Sequence, residues 1–240
     1  MPSTSVNAAR DRLIVALDVD GRATAERLVE SIGEEAAFYK IGYQMVFGGD
    51  GLALAKDLKA QGKKVFLDVK LHDIPNTIAH GIEAIAAMGL DMVTVHAYPQ
   101  TMRAAVGAAK GSSLTVLGVS VLTSMDDDDL KAAGYAAGAG ETVLNRARDA
   151  VGAGMGGLVA SAQEAAAIRS AIGSKLALVT PGIRPAGSHS GDQKRVTTPQ
   201  DAVSAGASHL VIGRPISAAD DPKLAAKAIV EEIFHASNSQ

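Results

Sequence analysis

Eight short runs of apolar and β-branched residues recur along the chain, separated by stretches whose apolar residues fall at helical spacing. The runs are RLIVALD (12–18), AAFYKIG (36–42), KKVFLDV (63–69), DMVTVHA (91–97), SLTVLGVS (113–120), GGLVAS (156–161), KLALVT (175–180) and SHLVIG (208–213). Each is close to continuously apolar, as strands covered on both faces are. Between them, Ala25, Leu28, Val29 and Ile32 lie at i, i+3, i+4 and i+7, and Met102, Ala105, Val106 and Ala109 repeat that spacing. Ile78, Ile82, Ile85 and Ala86 come close to it. Ser161 with Glu164 reads as a capping box, and Thr198-Pro199 as an N-cap followed by proline at the first helical position. Eight strands alternating with helices over 240 residues predict an α/β fold, the (β/α)8 TIM barrel, whose usual length is roughly 250 residues. A doubly wound open sheet is the competing arrangement. No linker or shift in composition marks a second domain, so 1–240 reads as a single barrel domain with 1–10 as a flexible lead-in.

A barrel carries its chemistry at the C-terminal ends of its strands. The ends of the eight runs give Asp18, Lys40, Asp68 with Lys70, His96, Thr123, and then the segments TPGIRP (180–185) and IGRP (212–215). Asp68 and Lys70 are two apart, so an extended strand points both to one side, toward the barrel mouth. Lys40, on the neighbouring strand, can reach Asp68, and Asp73 follows just before the helix that Pro75 should open. Alternating acids and bases let each lysine keep its proton while every carboxylate stays ionised. A structural salt-bridge cluster is the plainer alternative, but such clusters usually sit on surfaces and not at the end of a buried run. Charges at the strand beginnings (Arg12, Lys63, Lys64, Asp91, Lys175) are expected to face solvent at the barrel bottom.

Composition narrows the function classes. Hydrophobic residues make up 47% of the chain but aromatics only 3%, so the core must be built from Ala, Val, Ile and Leu. A formal charge of −3 argues against a nucleic-acid binder. The absence of cysteine excludes disulfides, thiolate-held zinc and a thiol nucleophile, and suits a reducing compartment. Residues 1–10 lack the apolar centre of a secretory signal, and no segment approaches the roughly 18 uninterrupted apolar residues of a membrane span. A soluble cytoplasmic protein with no membrane partner is the expectation.

The stretch FLDVKLHDIPNT (66–77) closely resembles the signature of the orotidine 5′-phosphate decarboxylase family. ALDVD (16–20), FYKIG (38–42), VTVHA (93–97), VLTSM (121–125), TPGIRP (180–185), GDQKR (191–195) and VIGRPI (211–216) resemble its other motifs in order, so the likeness covers nearly the whole chain. The resemblance implies decarboxylation of orotidine 5′-monophosphate to UMP, without cofactor or metal. Losing CO2 leaves an electron pair in an sp² orbital at C6 that the ring delocalises poorly. The resemblance makes Lys70 the cation that stabilises this carbanion and then protonates it. By the same resemblance Asp68 lies near the substrate carboxylate, Lys40 holds Asp68 and the ribose hydroxyls, and Asp18 is a further ribose ligand. Asp73 and Thr77 would reach into the site of a second subunit, making the enzyme a homodimer, and Ile74 between them is carried over as a substrate contact. Thr123, with Ser124 as substitute, would read the pyrimidine amide. Gly213 and Arg214, with Arg184 and Gln193 from the long 181–197 segment, would take the phosphate. That segment, carrying Gly182, Gly187 and Gly191, is a candidate lid.

Other features are set aside. Asp126 to Asp129 read as the start of a helix, where acids favour the positive end of the dipole. The six histidines form no spaced metal-ligand pair; His72 sits within the motif and His96 is expected to line the mouth. The glycines of VGAGMGGLVA (151–160) precede a strand, which defeats a dinucleotide-binding reading. The nearest alternative function is a relative of the same superfamily, 3-keto-L-gulonate 6-phosphate decarboxylase or hexulose phosphate synthase, which shares the Asp-x-Lys-x-x-Asp pattern but stabilises an enediolate with magnesium.

Overall fold

All eight expected strands form, and they close on themselves. The computed structural model describes residues 5–185 and 197–238. In it β1 (Leu13–Ala16), β2 (Phe38–Gly42), β3 (Lys64–Leu71), β4 (Met92–His96), β5 (Thr115–Val119), β6 (Gly157–Val159), β7 (Ala177–Thr180) and β8 (His209–Ile212) make a closed parallel barrel in sequential order. The fold is therefore the (β/α)8 barrel and not the open sheet. The helices expected from apolar spacing span Arg22–Ile32, Pro75–Ala87 and Pro99–Ala109, and the first buries Ala25, Leu28, Val29 and Ile32, the four residues that predicted it. Among the described residues no helix is long and apolar enough to cross a membrane.

Strand alternation divides the core in two. Ile14, Ala16, Phe38, Phe66, Met92, Leu117, Val179 and Val211 pack together inside the barrel. Leu13, Val15, Tyr39, Ile41, Val65 and Leu67, one residue out of phase, face the surrounding helices. This parity positions the site. Phe38 is followed two residues later by Lys40, and Phe66 by Asp68, so the inward-facing row of each strand changes from apolar to charged at its C-terminal end. The glycine that opens β6 has a packing role. A Cβ on Gly157 would lie 2.5 Å from Leu117 Cδ2 and 2.7 Å from the Ala177 carbonyl oxygen, which the close approach of β5, β6 and β7 does not allow.

Three local expectations are corrected. Residues 1–10 were expected to be a flexible lead-in, but Val6–Arg12 is a helix, capped by Ser5 and with Ala9 fully buried. Ser161 does cap its helix, yet its hydroxyl accepts from the Gln163 N–H, and the reciprocal capping box is made instead by Asp126 and Asp129, opening Asp127–Ala132. The charges at the strand beginnings do more than meet solvent. Arg12 donates to the carbonyl oxygens of Ala207 (2.6 Å) and Ser208 (3.0 Å) and to the Ser237 hydroxyl, tying the start of β1 to β8 and to the C-terminal helix Pro222–Asn238. Asp91 accepts from the Val65 N–H and from Lys59 Nζ, both at 2.7 Å.

Candidate active site

The charged residues at the ends of β1, β2 and β3 form a chain of contacts. Lys40 Nζ stands 2.9 Å from Asp18 Oδ1 and 3.6 Å from Asp68 Oδ2, and Lys70 Nζ stands 2.8 Å from Asp68 Oδ1. Each cation touches acids and each acid touches cations. Burial alone would raise the Asp68 carboxyl, but the charges of Lys40 and Lys70 and hydrogen bonds from Lys70 and Thr94 outweigh it, leaving its pKa below the ordinary carboxylate value. Asp68 is therefore a carboxylate at neutral pH despite a side chain only 15% exposed. Gly42 makes room for the arrangement: a Cβ there would lie 2.8 Å from Lys40 Nζ and 3.0 Å from Asp18 Oδ1.

The backbone beneath Lys70 is not the regular strand that the spacing suggested. β3 pairs with β4 at Leu67–Val93 and next at Leu71–Val95, so four residues of one strand run against two of the other. The excess is taken up in a bulge, and Lys70 adopts φ 41°, the sole positive φ at a non-glycine residue among those described. Such a conformation costs on the order of 1–3 kcal/mol and persists only when surrounding contacts enforce it. Those contacts are visible. Thr94 Oγ1 accepts the Lys70 N–H at 2.9 Å, and the Tyr43 hydroxyl donates to the Val69 carbonyl oxygen at 2.9 Å. The Tyr43 ring also lies 5.5 Å from Lys70 Nζ, a cation–π contact.

These residues open onto a cavity of about 520 Å³ at the C-terminal mouth of the barrel. It is lined by eight of the predicted site residues: Asp18, Lys40, Asp68, Lys70, Thr123, Arg184, Gly213 and Arg214. The apolar floor comes from Ala16, Phe66, Val119, Val159 and Val211. A charged wall, an apolar floor and an arginine-bearing end suit a flat, polar, anionic molecule. Thr123 is buried and Ser124 exposed, both on the rim; they lie in the loop beyond β5, not at the strand's end. Arg214 is exposed at the start of a short turn of helix, Arg214–Ser217, and a Cβ on the preceding Gly213 would meet only Ala16 Cβ, at 3.5 Å. Ile183 bridges to Thr197 and the Arg184 N–H donates to the Thr197 carbonyl oxygen at 2.9 Å, which holds residues 184 and 197 together beside the cavity. Gln193 and most of the candidate lid lie outside the described residues.

Asp73, Ile74 and Thr77 are not among the cavity's lining residues in their own chain. All three are exposed on the turn and first helical residues after β3; Asp73 Oδ1 accepts the Ile74 N–H at 2.7 Å, and Ile74 is 66% exposed. His96, expected to line the mouth, instead packs beside it, edge-on to His72 and near Tyr98, whose ring stacks on His72 at 4.6 Å. Burial, then the positive surroundings of His72, Arg146 and Lys70, lowers the His96 pKa. Sequence reasoning missed Gly42, Tyr43 and Thr94. Thr94 had a signal: in DMVTVHA it shares the inward parity of Met92, the position that faces Phe66 and Asp68 across the strands.

A closed eight-stranded parallel barrel with alternating lysines and aspartates at its C-terminal mouth has the form of a barrel enzyme. The model of the orotidine 5′-phosphate decarboxylase / HUMPS family matches residues 11–229, and the chain belongs to that family. Among solved structures, orotidine 5′-phosphate decarboxylase from Lactobacillus acidophilus is similar with 36% sequence identity and a TM-score of 0.82, over 93% of this chain and 99% of that one. An uncharacterized conserved protein from Geobacillus kaustophilus is similar with 32% identity and a TM-score of 0.79, over 92% of this chain and 99% of that one.

Proposed function

We propose that the protein decarboxylates orotidine 5′-monophosphate to UMP, the last step of UMP synthesis, without a cofactor. The observation that carries this reading is the Lys70 ammonium, 2.8 Å from the Asp68 carboxylate and facing a cavity that has Arg214 on its wall. In the reaction the C6–carboxylate bond breaks and its electron pair stays on C6. The nearby ammonium of Lys70 offsets that charge in a site of low dielectric. A proton then passes from Nζ to C6, and the neutral amine regains one from solvent. Asp68 keeps the Lys70 ammonium aimed and charged, and lies near the substrate carboxylate. Lys40 orients Asp68 and, with Asp18, takes the ribose hydroxyls.

Thr123 reads the pyrimidine amide, with Ser124 as its substitute, and Gly213, Arg214, Arg184 and Gln193 receive the phosphate. Asp73, Ile74 and Thr77 complete the site of a second copy in a homodimer. Their exposure and their absence from their own chain's cavity support this assignment. The whole chain acts as one catalytic domain in the cytoplasm.

The test is to mix the protein with orotidine 5′-monophosphate in EDTA and follow the orotate-ring absorbance. Conversion to UMP is expected with the metal chelated. No change on this substrate, with activity on a sugar-phosphate acid that needs magnesium, would assign the chain to the enediolate-forming members of its family.

A further inference from the structure

We propose that Thr94 is a positioning residue that fixes Lys70 and Asp68 relative to each other by locking the β3 bulge; its activity readout rests on the decarboxylase reading above. Thr94 is fully buried on β4, directly across from the bulge. Its Oγ1 contacts both members of the reacting pair: the Lys70 backbone N–H at 2.9 Å and Asp68 Oδ1 at 2.9 Å. The directions are fixed by chemistry. An amide N–H can only donate and an ionised carboxylate only accept, so the hydroxyl accepts from Lys70 and spends its single proton on Asp68.

One side chain thus performs two tasks. It gives the Lys70 N–H the acceptor that the broken ladder no longer supplies, which sustains the positive φ. It also holds the oxygen of Asp68 that faces Lys70 Nζ. A regular β3 would pair Val69 with Val95 and carry Lys70 on to the level of His96, two residues further along β4. With the two extra residues taken up in the bulge, Leu71 takes the place opposite Val95 and Lys70 stays at the level of Thr94, beside Asp68. Thr94 is absent from the cavity lining, so it acts through Lys70 and Asp68 and not on substrate.

Thr94→Val keeps the shape and removes both hydrogen bonds; Thr94→Ser keeps the hydroxyl. With orotidine 5′-monophosphate, Thr94→Val is expected to lower kcat on the order of 10²-fold while UMP affinity changes less than about threefold, and Thr94→Ser to stay within about threefold of wild type. In NMR titrations the Asp68 carboxyl should protonate at higher pH in Thr94→Val, because a hydrogen bond that lowers its pKa is gone. A Thr94→Val protein whose kcat stays within about twofold of wild type, or equal losses in the Val and Ser variants, would overturn the proposal. Thr94→Ala serves the same comparison if the Val variant does not fold. A wild-type protein inert toward orotidine 5′-monophosphate would sink the decarboxylase reading alone. The Asp68 titration and the Lys70 φ in a structure of the variant then decide, with no change in either contradicting the positioning role.

Discussion

The two rims of the barrel both carry charged side chains, and they use them in opposite ways. At the bottom, charges are matched to backbone and chain ends. Arg12 holds two carbonyl oxygens and the C-terminal helix, and Asp91 takes a strand N–H together with Lys59. Each of these groups closes a gap in the fold. At the top, Asp18, Lys40, Asp68 and Lys70 are matched to one another around an open cavity, and the backbone beneath Lys70 is bent into an unfavourable conformation to bring them together. Partly buried ion pairs add little stability compared with apolar residues of the same size. The bottom rim is therefore explained by folding, and the top rim by something the cavity receives.

Substitutions at each rim should separate these roles. The largest effect is expected from Lys70→Ala, which removes the proposed proton donor: turnover of orotidine 5′-monophosphate should fall at least about 10³-fold. Its melting temperature should stay close to that of the wild type, and a variant retaining more than a few per cent activity would contradict the proton-donor role. Arg12→Ala should do the reverse. Loss of three hydrogen bonds from a guanidinium is expected to cost roughly 2–3 kcal/mol of stability, read as a lower denaturation midpoint, with kcat unchanged. Gly42→Ala tests the top rim more gently. The new methyl group would push on the flexible end of Lys40, so about a tenfold loss of activity is expected with little change in stability.

The smallest effect concerns His209, at the start of β8 and edge-on to Phe38 inside the bottom of the barrel. Burial, with Arg12 and Lys64 nearby, pushes its pKa down to about 4 from 6.5. Between those values the unfolded chain binds a proton that the folded chain does not, so His209 favours folding above pH 6.5 and loses that advantage as pH falls toward 4. From pH 7 to 5.5 the loss should be about 1 kcal/mol, and His209→Gln should flatten that part of the stability profile. Asp68 acts in a lower window, because its pKa lies below the ordinary 3.8; its contribution is present above that value and is lost as pH falls through the folded one.

Much of the top rim was legible because strand parity is a short-range rule. Counting in twos from Phe38 and Phe66 leads to Lys40 and Asp68, and helical spacing gave the buried face of Arg22–Ile32 residue by residue. The β3 bulge was not legible, because the extra residues show only when β3 is set against β4, and pairing register is a tertiary property. For the same reason Lys70 looked like an ordinary strand residue, and Thr94 like core. The Val6–Arg12 helix was missed because a polar, seven-residue segment carries too little apolar periodicity; its stability comes from the Ser5 cap and the burial of Ala9. The bottom clamps escaped notice because a charged residue at a strand's start looks the same whether it meets water or a distant carbonyl.

The central claim is that the Lys70 ammonium stands next to the carbon that loses CO2. A crystal structure with a UMP analogue bound tests it most directly. The account predicts Lys70 Nζ within about 3.5 Å of C6 and the phosphate at Gly213 and Arg214. A nucleotide bound the other way round, or with C6 more than about 6 Å from Nζ, would contradict it.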